Sequence, residues 1–144
     1  MIEPVFMRCV KLIEIHKEND SDFVQRAANL IAAIVTTVKE QSIPLINNSN
    51  LVTQMIQILR GKSINKSQVF SLIGDIHPYI FDDPENQILS ELFRLLTASL
   101  RFSESNLSLA GFEDQNNISV CNNACWALGE IAVTCTLKSS QNQL

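Results

Sequence analysis

The sequence predicts an all-α fold built from helical hairpins, and three observations predict it. Apolar residues recur at helical spacing, about 100° per residue, through most of the 144 positions. Only four Gly and four Pro are present, too few for the many turns of a β-sandwich, while hydrophobic residues make up 46% of the chain. Short polar breaks leave the helical segments in pairs. A chain of this length buries a real core either as one compact domain or as a few units of a repeat array.

From Glu3 to Lys17, the residues Phe6, Cys9, Val10, Leu12 and Ile13 fall on one face of an amphipathic helix. Pro4 sits near its first turn, where a missing N–H costs nothing. The stretch "ENDSD" interrupts the pattern. Asp20, Ser21 and Asp22 are candidate N-caps for a second helix, from about Phe23 to Glu40, with a broad face of Ala27, Leu30, Ile31, Ile34, Val35 and Val38. These two helices make a first hairpin over residues 3–40.

"QSIPLINNSN" reads as a break and "LVTQMIQILR" as a helix with Leu51, Met55, Ile58 and Leu59 on one side. "GKSINKS" turns into "QVFSLIGDIHPYI", whose stripe is Val69, Leu72, Ile73 and Ile76, giving a second hairpin over 45–81. The third, over 84–136, runs from "DDPENQILSELFRLLTASL" to "NNISVCNNACWALGEIAVTC". Its acids Asp82, Asp83 and Glu85 suit the first turn of a helix, where negative charge is favourable. Between its helices "RFSESNLSLAGFEDQNN" is polar without a helical stripe and reads as a loop insertion near 102–117.

The units resemble one another. "SLIGDI" and "WALGEI" share the order apolar, Gly, acid, Ile, which aligns Asp75 with Glu130 and projects onto Thr36 in the first hairpin. The 39 residues from Thr36 to Asp75 are close to the ~40–47-residue period of HEAT and armadillo repeats, and the 55 from Asp75 to Glu130 contain the insertion. The expectation is an α–α superhelix of about three HEAT-like hairpins, with each helix Gly marking close packing. Since the chain starts with a helix and stops just after one, without a polar capping repeat, a piece of a longer solenoid with self-associating end faces is expected.

Several classes of function are disfavoured. Eleven basic against fifteen acidic residues, with no Lys/Arg cluster, suit a phosphate backbone poorly, so no nucleic acid is expected. The mild acidity suits a basic protein or peptide. No apolar run approaches the ~20 residues of a membrane span, and no secretory signal opens the chain. Cys9, Cys121, Cys125 and Cys135 therefore read as intracellular free thiols, and the sequon at Asn65 as chance. Zinc on Cys121 and Cys125 with His16 and His77 lacks Cys-x-x-Cys spacing, and buried small residues are the better reading. Phosphate loops, nucleophile elbows and His-Glu-x-x-His are missing, so neither catalysis nor a cofactor is expected.

One residue asks for a partner. On the last helix Ala124, Leu128, Ile131 and Cys135 form the apolar stripe, and Trp126 points away from it. Asn122, Trp126 and Glu130 share a face, where an aromatic plate flanked by an amide and a carboxylate suits an extended peptide with aliphatic or basic side chains. The alternative is an indole packed sideways on the neighbouring repeat. Asp75, opposite its own helix's apolar stripe, is either a surface acid or a site for a Lys or Arg.

"SVCNNACWALGEI" resembles a stretch of the karyopherin-β2 (transportin) family of importin-β-like nuclear import receptors, which carries an Asn-Asn-Ala-x-Trp-Ala-x-Gly-Glu-Ile run on the inner helix of a late HEAT repeat. "EPVFMRCVKLI", "DFVQRAANLIAAI", "SNLVTQMIQIL" and "VFSLIGDI" resemble the preceding family segments in order. The resemblance implies binding of a basic Pro-Tyr-type nuclear localisation signal of cargo proteins on a concave face. By position it gives Trp126 packing on the signal, Asn122 and Asn123 beside it, and Asp75 facing its basic part; Glu130, aligned with Asp75 in the repeat, is expected to serve basic residues with it. Thr36 departs, standing where the family has an acid. It also implies the small GTPase Ran, engaged outside this segment, nucleoporins, and shuttling between cytoplasm and nucleus. The rival expectation is a generic HEAT scaffold for protein–protein interaction without a signal groove.

Overall fold

The computed structural model describes residues 1–19, 21–61, 63–80, 87–98 and 115–142. Helix α1 spans Ile2–His16 and α2 Ser21–Val38, and a 3-10 turn over Lys39–Gln41 leads into α3, Ser42–Asn47. Then follow α4 (Leu51–Arg60), α5 (Lys66–Ile80), α6 (Gln87–Ala98) and α7 (Gln115–Asn142). No strand occurs among the described residues. One layer holds α2, α5 and α7 side by side and the other α1, α4 and α6; α1 packs on α2, α4 on α5 and α6 on α7. The result is the all-α helical-repeat fold that the paired periodicity predicts.

The stripes form a single core between the layers. Phe6 and Ile13 of α1, Leu51, Met55 and Ile58 of α4, Phe70, Ile73 and Ile76 of α5, and Leu92 and Leu96 of α6 are all fully buried. Each such side chain contributes roughly 1.5–3 kcal/mol. On α2 the buried set differs from the expected one: Leu30 is 44% exposed, while Ala28 and Ala32 are buried. Ala28 lies beside Ser71 and Leu72 of α5, so the small residues of α2 face the next helix of the layer.

The expected break at "QSIPLINNSN" is instead helical over most of its length. Pro44 is the third residue of α3, and the first-turn N–H groups of a helix have no intrahelical acceptor, so proline fits there. Lys39, at φ 53°, takes the left-handed conformation that closes α2. The expected caps at Asp20, Asp82 and Asp83, and the insertion as far as residue 114, lie outside the described residues; residues 115–117 already belong to α7.

The first two hairpins are locked together at Lys17, just past the end of α1. Its carbonyl has no helical partner, and it accepts from Ser63 Oγ at 2.5 Å and Asn65 Nδ2 at 2.7 Å. Its ammonium donates to Gln54 Oε1 at 3.0 Å and Gln57 Oε1 at 2.6 Å on α4. Asn65 is fully buried in this lock, so a glycan on its amide nitrogen is incompatible with the fold.

Candidate functional site

Helix α7 buries Ala124, Ala127 and Ile131 against its neighbours. At about 100° per residue the opposite side must then carry Asn122, Trp126 and Glu130, and all three are exposed. Trp126 remains 42% exposed, yet one part of its ring is committed. A Cβ built on Gly74 of α5 would fall 2.8 Å from Cη2 of the indole and closer still to Cζ3 and Cε3. The indole thus leans on the bare backbone of α5 and leaves its remainder open. The two arrangements weighed from the sequence, packing on the neighbouring repeat and standing open, coexist in this ring.

Gly74 has a second partner. Pro78 lies inside α5 and has no N–H to give the Gly74 carbonyl four residues earlier. His77 Nδ1 supplies the missing bond at 2.7 Å, and its Nε2 meets Thr134 Oγ1 of α7 at 2.6 Å. A carbonyl only accepts, so in the neutral ring Nδ1 carries the proton and Nε2 accepts from the Thr134 hydroxyl. Gly74, His77 and Pro78 therefore act as one device that fastens α5 to α7 directly beneath Trp126. The sequence offers His77 only a zinc site without the proper spacing; the Gly-x-x-His-Pro spacing is the signal for its actual role.

Asn123 also fastens α7, donating Nδ2 to the Ser67 carbonyl at 3.0 Å and to Ser67 Oγ at 2.9 Å. Beside it a cleft of about 100 Å³ opens across the layer, lined by Gln25 and Asn29 of α2, Ser71 and Asp75 of α5, and Asn123. Gln68 Oε1, on the same cleft, is buried with no hydrogen-bond partner among the described residues. The lining is dominated by amides and hydroxyls, groups that pair with peptide N–H and C=O.

Charge gathers at one end of this surface. Partial burial pushes the Asp75 carboxyl above the usual carboxylate range, and the nearby Glu130 carboxylate pushes it further, while His77 opposes both. Two acids from adjacent helices therefore feel one another, and among the described residues neither is in a salt bridge with a Lys or Arg. Thr36, by contrast, is exposed on α2 and returns its hydroxyl to the Ala32 carbonyl at 2.8 Å, so the α2 end is neutral.

The other groups considered do not converge. His16 stacks on Phe23 with ring centroids 4.6 Å apart. Burial pushes the Cys9 and Cys121 thiols up, the neighbouring Cys125 adding to the effect at Cys121, so neither is an activated nucleophile. Among the described residues no group of three His, Cys, Asp or Glu is placed to hold a metal ion, and no helix is long and apolar enough to cross a membrane.

No family model matches the chain, and no solved structure matches it. Curated relatives do. The chain is 27% identical over 146 residues to transportin-1 of Mus musculus and, equally, of Homo sapiens, covering 91% of this chain and 15% of each relative. It is 31% identical over 117 residues to transportin of Dictyostelium discoideum, covering 80% of this chain and 11% of the relative. Over most of its length, therefore, the chain is similar to a short segment of transportin.

Proposed function

We propose that the α2–α5–α7 layer is the cargo-facing surface of a nuclear import receptor segment, and that it binds the basic part of a Pro-Tyr-type nuclear localisation signal in extended form without catalysis. The observation that carries the reading is Trp126, packed on Gly74 yet 42% exposed, on the same helix layer as the acids Asp75 and Glu130. A fixed aromatic surface costs little entropy on binding and accepts aliphatic or cationic side chains. Asn122 and the cleft amides offer main-chain hydrogen bonds. Asn123 contributes through its carbonyl oxygen, because its NH₂ is spent on Ser67. The similarity to transportin supports the same reading. Ran and nucleoporins, with shuttling between cytoplasm and nucleus, belong to the longer receptor of which this surface would be a part.

The test is a fluorescence-anisotropy titration of a basic Pro-Tyr signal peptide against the chain and its Trp126→Ala variant. Weak binding is expected, since part of an interface must still meet the peptide's ordering cost. Trp126→Ala should weaken it by roughly tenfold or more, as at other aromatic hot spots. Equal affinities would favour a plain helical scaffold that holds protein partners elsewhere.

A further inference from the structure

Two thiols on α7 take no part in the peptide surface. Cys121 is half-buried and Cys125 exposed, although the sequence reads both as buried small residues. They stand one helical turn apart, and at about 100° per residue they share the flank opposite to Asn123 and Thr134, which fasten α7 to α5. Cys125 acts electrostatically on Cys121, as a near neighbour does. One turn sets Cβ atoms about 5–6 Å apart, and a disulfide needs roughly 3.5–4.5 Å. The intact helix therefore keeps the thiols from joining each other, while one atom inserted between the sulfurs spans the gap. Among the described residues no third His, Cys, Asp or Glu completes a metal-ion site with them.

We infer that Cys121 and Cys125 form a bidentate site for a trivalent organic arsenical, a thiophilic centre that needs two sulfurs and no further protein ligand. Sulfur is a soft donor and suits such a centre. In the reaction with phenylarsine oxide the arsenic–oxygen bond breaks, two arsenic–sulfur bonds form, and both thiol protons leave with the oxygen as one water. Arsenic remains trivalent, so no oxidant or reductant enters. The same balance favours an arsenical over a divalent ion. Burial and Cys125 push the Cys121 thiol up, so an ion that must expel free protons is opposed at neutral pH, whereas the arsenical carries them off in water. The site stands apart from peptide binding, which uses another side of α7.

The test titrates the whole chain with phenylarsine oxide in excess glutathione, a monothiol that strips adducts held by one sulfur. One arsenical per chain is expected, with loss of two titratable thiols, a raised melting temperature, and a change in the fluorescence of Trp126, the sole tryptophan and the next residue to Cys125. Cys121→Ser and Cys125→Ser should each weaken binding roughly 100-fold or more, since the second sulfur acts at high effective concentration. Cys9→Ala and Cys135→Ala should leave it unchanged. Gly129 offers a rescue, because a Cβ there meets no described atom within 4 Å. Cys121→Ser with Gly129→Cys rebuilds a pair one turn on and should bind again. Unchanged affinity in either serine variant overturns the inference, as does lost binding in Cys135→Ala or a folded rescue variant that fails to bind.

Discussion

Trp126 of α7 fills the space that a Cβ on Gly74 of α5 would take. In an ordinary helix interior, Gly→Ala stabilises by about 1 kcal/mol. At Gly74 the sign should reverse, because the added methyl drives into a ring already held by the fold; a loss of about 1–3 kcal/mol is expected in urea denaturation. In a Trp126→Ala background the clash partner is gone, and Gly74→Ala should recover its ordinary gain. Additive effects of the two substitutions would mean that the ring and the glycine do not touch.

The His77 bridge makes a prediction of its own. His77→Phe leaves the Gly74 carbonyl and the Thr134 hydroxyl without their shared partner, and should cost about 1–3 kcal/mol. Pro78→Ala restores a main-chain N–H four residues after Gly74, so in that background the carbonyl has a substitute donor. The cost of His77→Phe should therefore shrink when Pro78 is replaced, a non-additivity readable by equilibrium unfolding of the four variants.

These two relationships also mark how much was legible in the sequence. Helical periodicity exposed the helix pairs and most of the core, because each helix turns its main apolar face toward the opposite layer. It misplaced Leu30, since α2 is packed from two sides and alanines rather than leucine face α5. It read "QSIPLINNSN" as a break, although the first turn of a helix tolerates a proline such as Pro44. Trp126 and the acids were visible as residues off the apolar stripe. The clamps were not: the Lys17 carbonyl, Asn123 on Ser67 and His77 on Thr134 join residues remote in sequence, and a periodicity carries no information about them.

Acidification should weaken peptide binding earlier than an ordinary aspartate would dictate. The Asp75 carboxyl is raised by burial and by Glu130, so it takes up its proton above the usual 3.8, and a neutral Asp75 no longer attracts a cationic side chain. For stability the sign is opposite. A raised carboxyl contributes stability that is present below 3.8 and lost as pH rises through its folded value, so Asp75→Asn should stabilise slightly at pH 7. The same variant should lower peptide affinity at pH 7 by at most about fivefold, the scale of one exposed pair. Unchanged pH dependence of binding in Asp75→Asn would remove Asp75 from the site.

On the outer layer, Glu91 of α6 accepts from Arg60 at the end of α4, at 2.7 Å, and from Arg94, also at 2.7 Å. Hydrogen bonds from Arg94 and Arg60 hold its carboxyl down at about 2. A depressed carboxyl contributes stability that is present above its ordinary 4.5 and is lost as pH falls toward 2. Glu91→Gln should therefore lower the melting temperature at pH 7 by no more than a few degrees, as expected of an exposed cluster. The difference from the parent should fade across that pH window and with added salt.

Trp126 holds α7 on α5 and, in the proposed function, also meets the ligand, so Trp126→Ala alone confounds stability with binding. Truncating a large aromatic in a packed site costs about 3–5 kcal/mol, less here because part of the ring is exposed. The space can be refilled from the other helix. Gly74→Leu together with Trp126→Ala places an aliphatic side chain where the indole lay, and should recover part of the lost melting temperature while restoring no exposed aromatic surface. Peptide affinity should stay as low as in Trp126→Ala. If affinity instead returns with stability, the indole matters only as a spacer between α5 and α7, and the ligand must lie on the cleft amides and the acids Asp75 and Glu130.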